Sequence, residues 1–329
     1  MSSARRSLER APIRLDQLTN PYGPVVGARE ALTASGAEPA AEEDSLEEMR
    51  LAVAAHVAVP STWIRLWSGE SLRAEQSSAG VVRLPPSGEL APVVHAGQGA
   101  DVTLWRGEGF RPDLALEAVS ELPRGLWAEV AVPHDPSGAL LPIQGAVRLA
   151  RATEMLVIDE RLGGYGPRSM LPLVREYDNV VVLQSFAGAA GLGQWQRGWI
   201  VGSPTALQQL SANASDRWTV GEVGAVMATI GDIRTVDQQV RRVREERSRM
   251  FRMVRKFNTL TPIPSWAGFL LARVERGSAS EIALLLADRA INVHVPAQVG
   301  SGEFLRISIG RSSDTDRLRE ALLEIATVI

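Results

Sequence analysis

Leu156-Val157-Ile158-Asp159-Glu160 is the stretch on which the fold turns. An unbroken apolar run that ends on a carboxylate reads as a strand buried on both faces, with its acidic end at the rim of the core. The carboxyl ends of parallel strands are where open α/β sheets place their ligands. A carboxylate in that place serves equally as a helix cap or as half of a salt bridge.

The pattern repeats outward from this stretch. Trp127 to Val132 reads as a strand closed by Pro133, and Gln144 to Ala152 as a helix. Asn179 to Gln184 is a strand followed by Ser185-Phe186-Ala187-Gly188-Ala189-Ala190-Gly191. Thr62 to Trp67, Gly80 to Leu84, Asp101 to Trp105 and Trp199 to Val201 are shorter strand candidates, and Leu114 to Leu122 a short helix. Ser45 to Val57 has amphipathic spacing, with Ser45 and Glu48 fitting a capping box. Strand–helix alternation with near-continuous apolar strands predicts an α/β fold whose large domain has a mostly parallel central sheet covered by helices.

After Thr219 the character changes. Residues 220–257 read as mainly helical, and Val236 to Phe257 as a long, arginine-rich, solvated helix leading out of the large domain. A strand (Gly268 to Val274), a helix (Ser278 to Arg289), a strand (Phe304 to Ile309) and a helix (Asp314 to Val328) predict a smaller C-terminal α+β domain. The expected division is an N-terminal arm and part of the small domain in 1–44, the large domain in 45–235, and the small domain in 236–329. Within the arm, residues 1–20 read as loose and Ala31 to Glu43 as a mobile loop.

Composition narrows the chemistry. The chain has 329 residues, 45% hydrophobic and 22% charged, which is ample for a large core. A net charge of −3 gives no pointer to nucleic acid or to an anionic membrane. No cysteine is present, which excludes disulfides, thiolate catalysis and cysteine metal sites, and no metal site is expected. Met1 to Arg10 lacks an apolar core, so no secretory signal is expected, and a cytoplasmic location is the expectation. Lys256 is the single lysine, so any reaction that needs a lysine amine must use it.

Asp135-Pro136-Ser137-Gly138 follows one strand, Asp159-Glu160 the next, and Ser185 to Leu192 a third. Asn20-Pro21-Tyr22-Gly23-Pro24 lies in the arm and Phe304-Leu305-Arg306-Ile307-Ser308-Ile309-Gly310 near the C-terminus. In order and spacing this set resembles the fold-type-I aminotransferases that use pyridoxal phosphate, nearest to the histidinol-phosphate aminotransferase branch. The resemblance is strongest from Val157 to Val201 and implies the fold-type-I architecture.

What the resemblance implies can be carried over one residue at a time. Asp159 matches the family's aspartate that pairs with the pyridinium nitrogen and strengthens the cofactor as an electron sink. The tyrosine and asparagine that bond the cofactor's phenolic oxygen fall on Leu162 and Asp135, and an ionised Asp135 would repel a phenolate. The Schiff-base lysine falls on Gly188, in the loop that begins at Ser185. The phosphate arginine falls on Gln196, with Arg197 adjacent as a substitute from a different direction. The family's glycine-rich phosphate loop reads Trp67-Ser68-Gly69-Glu70-Ser71, where a glutamate suits a dianion poorly. The tyrosine-proline that reaches a neighbouring subunit's phosphate appears as Glu38-Pro39, and the ring-stacking aromatic near Pro85-Pro86-Ser87 is not visible.

Tyr22 matches the arm that borders the substrate pocket, and Arg306 the arginine that takes the substrate carboxylate. Their plainer readings are a packed loop aromatic and a structural ion pair. Lys256 lies on the charged helix, remote in sequence from Gly188. His134, beside Asp135, is a candidate base, and a capping or surface histidine is the plainer reading.

These replacements together predict an aminotransferase-like protein that has lost pyridoxal-phosphate catalysis. The alternative is an active transaminase- or lyase-like enzyme using pyridoxal or pyridoxamine phosphate held without a covalent bond. No cofactor is expected unless it is held that way. The expected partners are a second copy of the chain, or an active aminotransferase as a heterodimer, with a small amino-acid-like ligand between Asp159, His134 and Arg306.

Overall fold

The computed structural model describes residues 11–34, 40–69, 72–74, 80–83, 90, 92–95, 102–103, 119–120, 122–193, 197–211, 218–297 and 303–329. A seven-stranded sheet runs through it in the order Ile64–Trp67, Gly198–Gly202, Val180–Gln184, Met155–Asp159, Trp127–Ala131, Val81–Arg83, Val102–Thr103. Gly198–Gly202 alone runs against the others. Every residue of Met155–Asp159 is buried, as an apolar run covered on both faces requires.

Strand alternation sorts the core into two sets. Ala128, Val130, Leu156, Ile158, Val180, Val182 and Val201 belong to one, with Met49 and Val53 of the helix Glu43–Val57 and Leu149 of the helix Ile143–Ala152. Trp127, Met155, Val157, Val181, Leu183 and Ile200 belong to the other, with Leu72, Val94 and Leu210 from a small three-stranded sheet. By the same alternation, Glu129 and Asp159 point toward this second set. Charged groups are therefore built into the apolar face at its rim.

The C-terminal part is an antiparallel sheet of Leu260–Pro262, Phe269–Val274 and Phe304–Ser308 with the helices Ile233–Val254, Ala279–Ala287 and Ser312–Ile325. Among the described residues no helix is long and apolar enough to cross a membrane, and no cluster of three or more potential metal-binding side chains occurs.

Several local expectations are corrected. The loose arm carries the strand Ile13–Leu15, paired in parallel with Ile291–Val293, because Ile13 and Leu15 alternate into the core. The proposed loop from Ala31 to Glu43 is helical at both ends, in Val26–Ala34 and from Glu43 onward, and 35–39 lie outside the described residues. Ser45 is not a cap. The helix starts two residues earlier with Glu43 and Asp44 in its first turn, where carboxylates suit the helix dipole. Most of Leu114 to Leu122 and of Asp101 to Trp105 lies outside the described residues. The long helix is not solvated throughout. Its Arg244 and Arg247 donate to the carbonyls of Gly164, Tyr165, Gly166 and Ala267, and burial lowers the Arg247 pKa to about 10.

The arm is latched onto the loop after the strand Val180–Gln184. Asn20 Nδ2 donates to the Ala189 carbonyl at 2.7 Å and to Gln239 Oε1 at 2.9 Å. Gly191 has φ +74°, and a Cβ there would lie 2.8 Å from the Gly23 carbonyl carbon. Gly191→Ala is expected to lower the unfolding free energy by about 1–2 kcal/mol from the left-handed backbone alone, with more from displacing the arm. Urea unfolding measures this; an unchanged midpoint would mean the arm does not close there.

Candidate functional site

Asp159 ends its strand 5% exposed. A buried carboxylate needs a cation or several donors, and the chain supplies both two residues later. Arg161 Nε donates to both carboxylate oxygens at 3.0 Å, its terminal nitrogen donates to Oδ2 at 2.7 Å, and its backbone N–H donates to Oδ1 at 2.9 Å. Arg161 is only 3% exposed, and its guanidinium lies 5.3 Å from the centre of the Trp67 ring. The sequence reading passed over Arg161. Its signal was an arginine two residues beyond a strand-end aspartate, close enough for a tight turn to fold the side chain back.

The loop expected to hold a lysine is closed by hydrogen bonds. Gly188 is buried, and its carbonyl accepts from the Tyr165 hydroxyl at 3.0 Å and from Gly191 N–H at 3.1 Å. Burial pushes the Tyr165 hydroxyl pKa well above the ordinary tyrosine value. Ser185 Oγ donates to the Arg197 carbonyl at 2.6 Å and accepts from Ala187 N–H at 3.0 Å.

Arg197 is directed inward. Its Nε donates to Glu222 Oε1 at 2.8 Å, a terminal nitrogen donates to the Ser68 carbonyl at 2.9 Å, and its guanidinium lies 5.7 Å from the Trp218 ring. Glu222 also completes the capping box with Thr219 that starts the helix Val220–Gly231. The space left between Ser185, Arg197, Trp218 and Glu222 is a cavity of about 10 Å³, enough for one water at most. Gly69, just beyond Ser68, has φ +93°. Glu70, Ser71 and Gln196 lie outside the described residues, as do Glu38, Pro39 and Pro85-Pro86-Ser87.

The remaining polar groups hold the walls. Asp135 Oδ2 accepts from Leu90 N–H at 3.1 Å. His134 is buried with Nδ1 2.8 Å from Ser137 Oγ, inside the turn of its own loop. Glu129 accepts from Val93 and Val94 N–H at 2.6 and 3.1 Å and lies 3.5 Å from Arg83 Nε. Glu160 accepts from Met170 N–H at 2.5 Å, Ser169 Oγ at 2.6 Å and Gln184 Nε2 at 2.9 Å, so it anchors the loop that follows. Both glutamates are held above the usual carboxylate range, by burial first.

Arg306 is 1% exposed. One terminal nitrogen donates to the Asp16 carbonyl at 3.1 Å, and the guanidinium lies 5.7 Å from the Phe269 ring. Phe269 packs with Leu162 and Ala267, with Leu18 and Leu90 against them. Where a tyrosine was the family's pattern, Leu162 joins an apolar plug. Tyr22 stands between Arg242 and Arg311, each guanidinium 5.6 Å from its ring. Lys256 is exposed just beyond the helix Ile233–Val254 and lines a different cavity, with Arg252 and Arg319.

Residues 114–322 match the family described as aminotransferase class I and II. Histidinol-phosphate aminotransferase 2 of Archaeoglobus fulgidus is 30% identical over 66% of the chain, a match spanning 63% of that relative's length. Histidinol-phosphate aminotransferase of Roseiflexus castenholzii is 27% identical over 95% of the chain and 90% of its own. In structure, the chain superposes with a TM-score of 0.75 on histidinol-phosphate aminotransferase from Sinorhizobium meliloti in complex with pyridoxal phosphate, at 21% identity, covering 98% of this chain and 93% of that one. That superposition shows the same fold.

The described residues do not fit pyridoxal phosphate. The aspartate that should meet the pyridinium cation has both oxygens on Arg161. Arg197, adjacent to the position that the resemblance matches to the phosphate arginine, is paired with Glu222 beside a space of about 10 Å³. No lysine side chain projects from Gly188.

Removing one member of a buried ion pair strands the other, at about 3–5 kcal/mol. Arg161→Ala is expected to lose stability on that scale in denaturant unfolding, and a loss below 1 kcal/mol, roughly that of an exposed pair, would refute the pairing. Glu160 gives a pH signature. Its raised pKa lets the folded state keep a proton that the unfolded chain releases above its ordinary 4.5. The group therefore withdraws stability as pH rises from that value through its raised pKa. Glu160→Gln should lose stability less steeply than wild type over that range; identical slopes would contradict the assignment.

Proposed function

The chain belongs to the class I and II aminotransferase family, and from that premise we propose that it is a member of the histidinol-phosphate aminotransferase type that no longer performs pyridoxal-phosphate catalysis. It acts instead as a binding or partner subunit. The observation that carries this reading is the bidentate pairing of Asp159 with Arg161. An arginine cation stands where the family's resemblance implies a pyridinium cation. Glu222 does the same for charge of the other sign, offering Arg197 a carboxylate in place of a phosphate. Both charges of the cofactor footprint are thus met by the protein, and Leu162, Phe269 and Leu90 bring apolar surface together nearby.

A self-associating large-domain face is part of the proposal. Val26, Leu51 and Val220 are large exposed apolar residues on three helices, of which Val26–Ala34 and Glu43–Val57 both pack against Val220–Gly231. Such apolar surface suits burial against a second copy. The proposal places the protein in the cytoplasm, since a chain without cysteine draws nothing from an oxidising compartment.

Incubation with pyridoxal phosphate followed by dialysis tests the central reading. The expected result is that no cofactor absorbance remains with the protein and no transaminase turnover is detected. A band that survives dialysis in the wild type and disappears in Asp159→Asn would overturn it. Light scattering on the same sample should give twice the chain mass, and Leu51→Glu should shift it toward one.

A further inference from the structure

A cavity of about 630 Å³ opens where the end of the helix Ile233–Val254 meets the helix Ser312–Ile325. That volume falls in the range of roughly 300–1,000 Å³ typical of small-molecule sites. Its rim carries Arg249, Arg252, Lys256 and Arg319, and no acidic side chain lines it. Arg249 is compensated by Glu246 and Asp316. Arg252, Lys256 and Arg319 form no ion pair among the described residues.

Three uncompensated like charges around one opening repel one another and raise the local concentration of anions. Cations at the end of a helix complement its dipole, which accounts for Arg252 and Lys256. It does not account for Arg319, which stands in the middle of the second helix. A second observation points the same way. Thr315 lines the cavity and is 1% exposed, and its hydroxyl has no hydrogen-bond partner. A buried hydroxyl without a partner is costly unless something completes it. Apart from exposed Asn258, the rest of the lining is apolar, with Met253, Ala326, half-buried Phe257 and Leu323, which is 51% exposed.

We propose that this cavity binds a small phosphorylated molecule bearing at least two negative charges and a planar or apolar body, of the nucleoside polyphosphate class. Guanidinium forks match phosphate oxygens in pairs, and a lysine adds a point charge beside them. One carboxylate would leave two of the three cations unmatched. The Phe257 and Leu323 surface gives the body of the ligand an apolar contact that a bare anion would leave exposed. The site shares none of its lining with the Asp159 loops, so its test is separate from theirs.

Calorimetric titration of the full-length protein with ATP, tripolyphosphate and adenosine as three separate probes tests the site. A saturable heat is expected with ATP, weaker binding with tripolyphosphate and weaker still with adenosine. Arg252→Glu with Arg319→Glu, both exposed, should weaken ATP by at least about tenfold while leaving the circular dichroism unchanged. Leu323→Ser should weaken ATP and leave tripolyphosphate unchanged. No saturation with ATP, or an ATP affinity indifferent to the double charge reversal, would overturn the proposal. Tripolyphosphate binding as tightly as ATP would overturn the assignment of an apolar body.

Discussion

The contact between Asp159 and Arg161 governs the centre of this molecule. A carboxylate at the end of a fully buried strand, 5% exposed, is tolerable only if its charge is met. Arg161 meets it with three side-chain hydrogen bonds and one from its own backbone. The turn that brings the guanidinium back fixes the path of the residues around it. Trp67 covers the guanidinium, Leu162 leaves the turn toward Phe269, and Glu160 holds Ser169, Met170 and Gln184. A second pair, Arg197 with Glu222, does comparable work at the far side and leaves a space of about 10 Å³. At both places a buried or half-buried arginine is met by a carboxylate of the same chain.

Buried ion pairs are weak devices for stability, because desolvation offsets most of the attraction. Their consequence is geometric. Arg161 engages both oxygens of Asp159 and so fixes the carboxylate's orientation at the strand end. The seven-stranded sheet with one reversed strand, the latched arm and the antiparallel C-terminal sheet frame the pair. Function resides in a few side chains carried on a common fold, so the scaffold alone does not supply it.

The scaffold was legible because its signals are local. Met155–Asp159 and Val180–Gln184 are apolar runs that only a doubly covered sheet can bury, and the sequence marked both within a residue. Elements such as Ile13–Leu15, Leu72–Ala74 and Leu260–Pro262 were missed since three residues carry no period of their own; distant partners define them. That Gly188 falls where the resemblance expects a lysine was equally plain in the sequence. The partners of Asp159, Gly188 and Arg197 were not. Arg161 is marked only by its place two residues beyond Asp159, Tyr165 and Glu222 by nothing local, and the turn after Asp159, the closure of the Gly188 loop and the start of the helix Val220–Gly231 bring them to the site.

A double-mutant cycle of Asp159→Asn and Arg161→Gln, read by denaturant unfolding, bears most directly on whether the two charges belong to each other. Contacting residues in one network couple by about 0.5–3 kcal/mol, whereas independent sites add to within about 0.5 kcal/mol. The account predicts a coupling near the top of that range, with the double variant more stable than the sum of the single losses allows. Additivity of the two losses would contradict it.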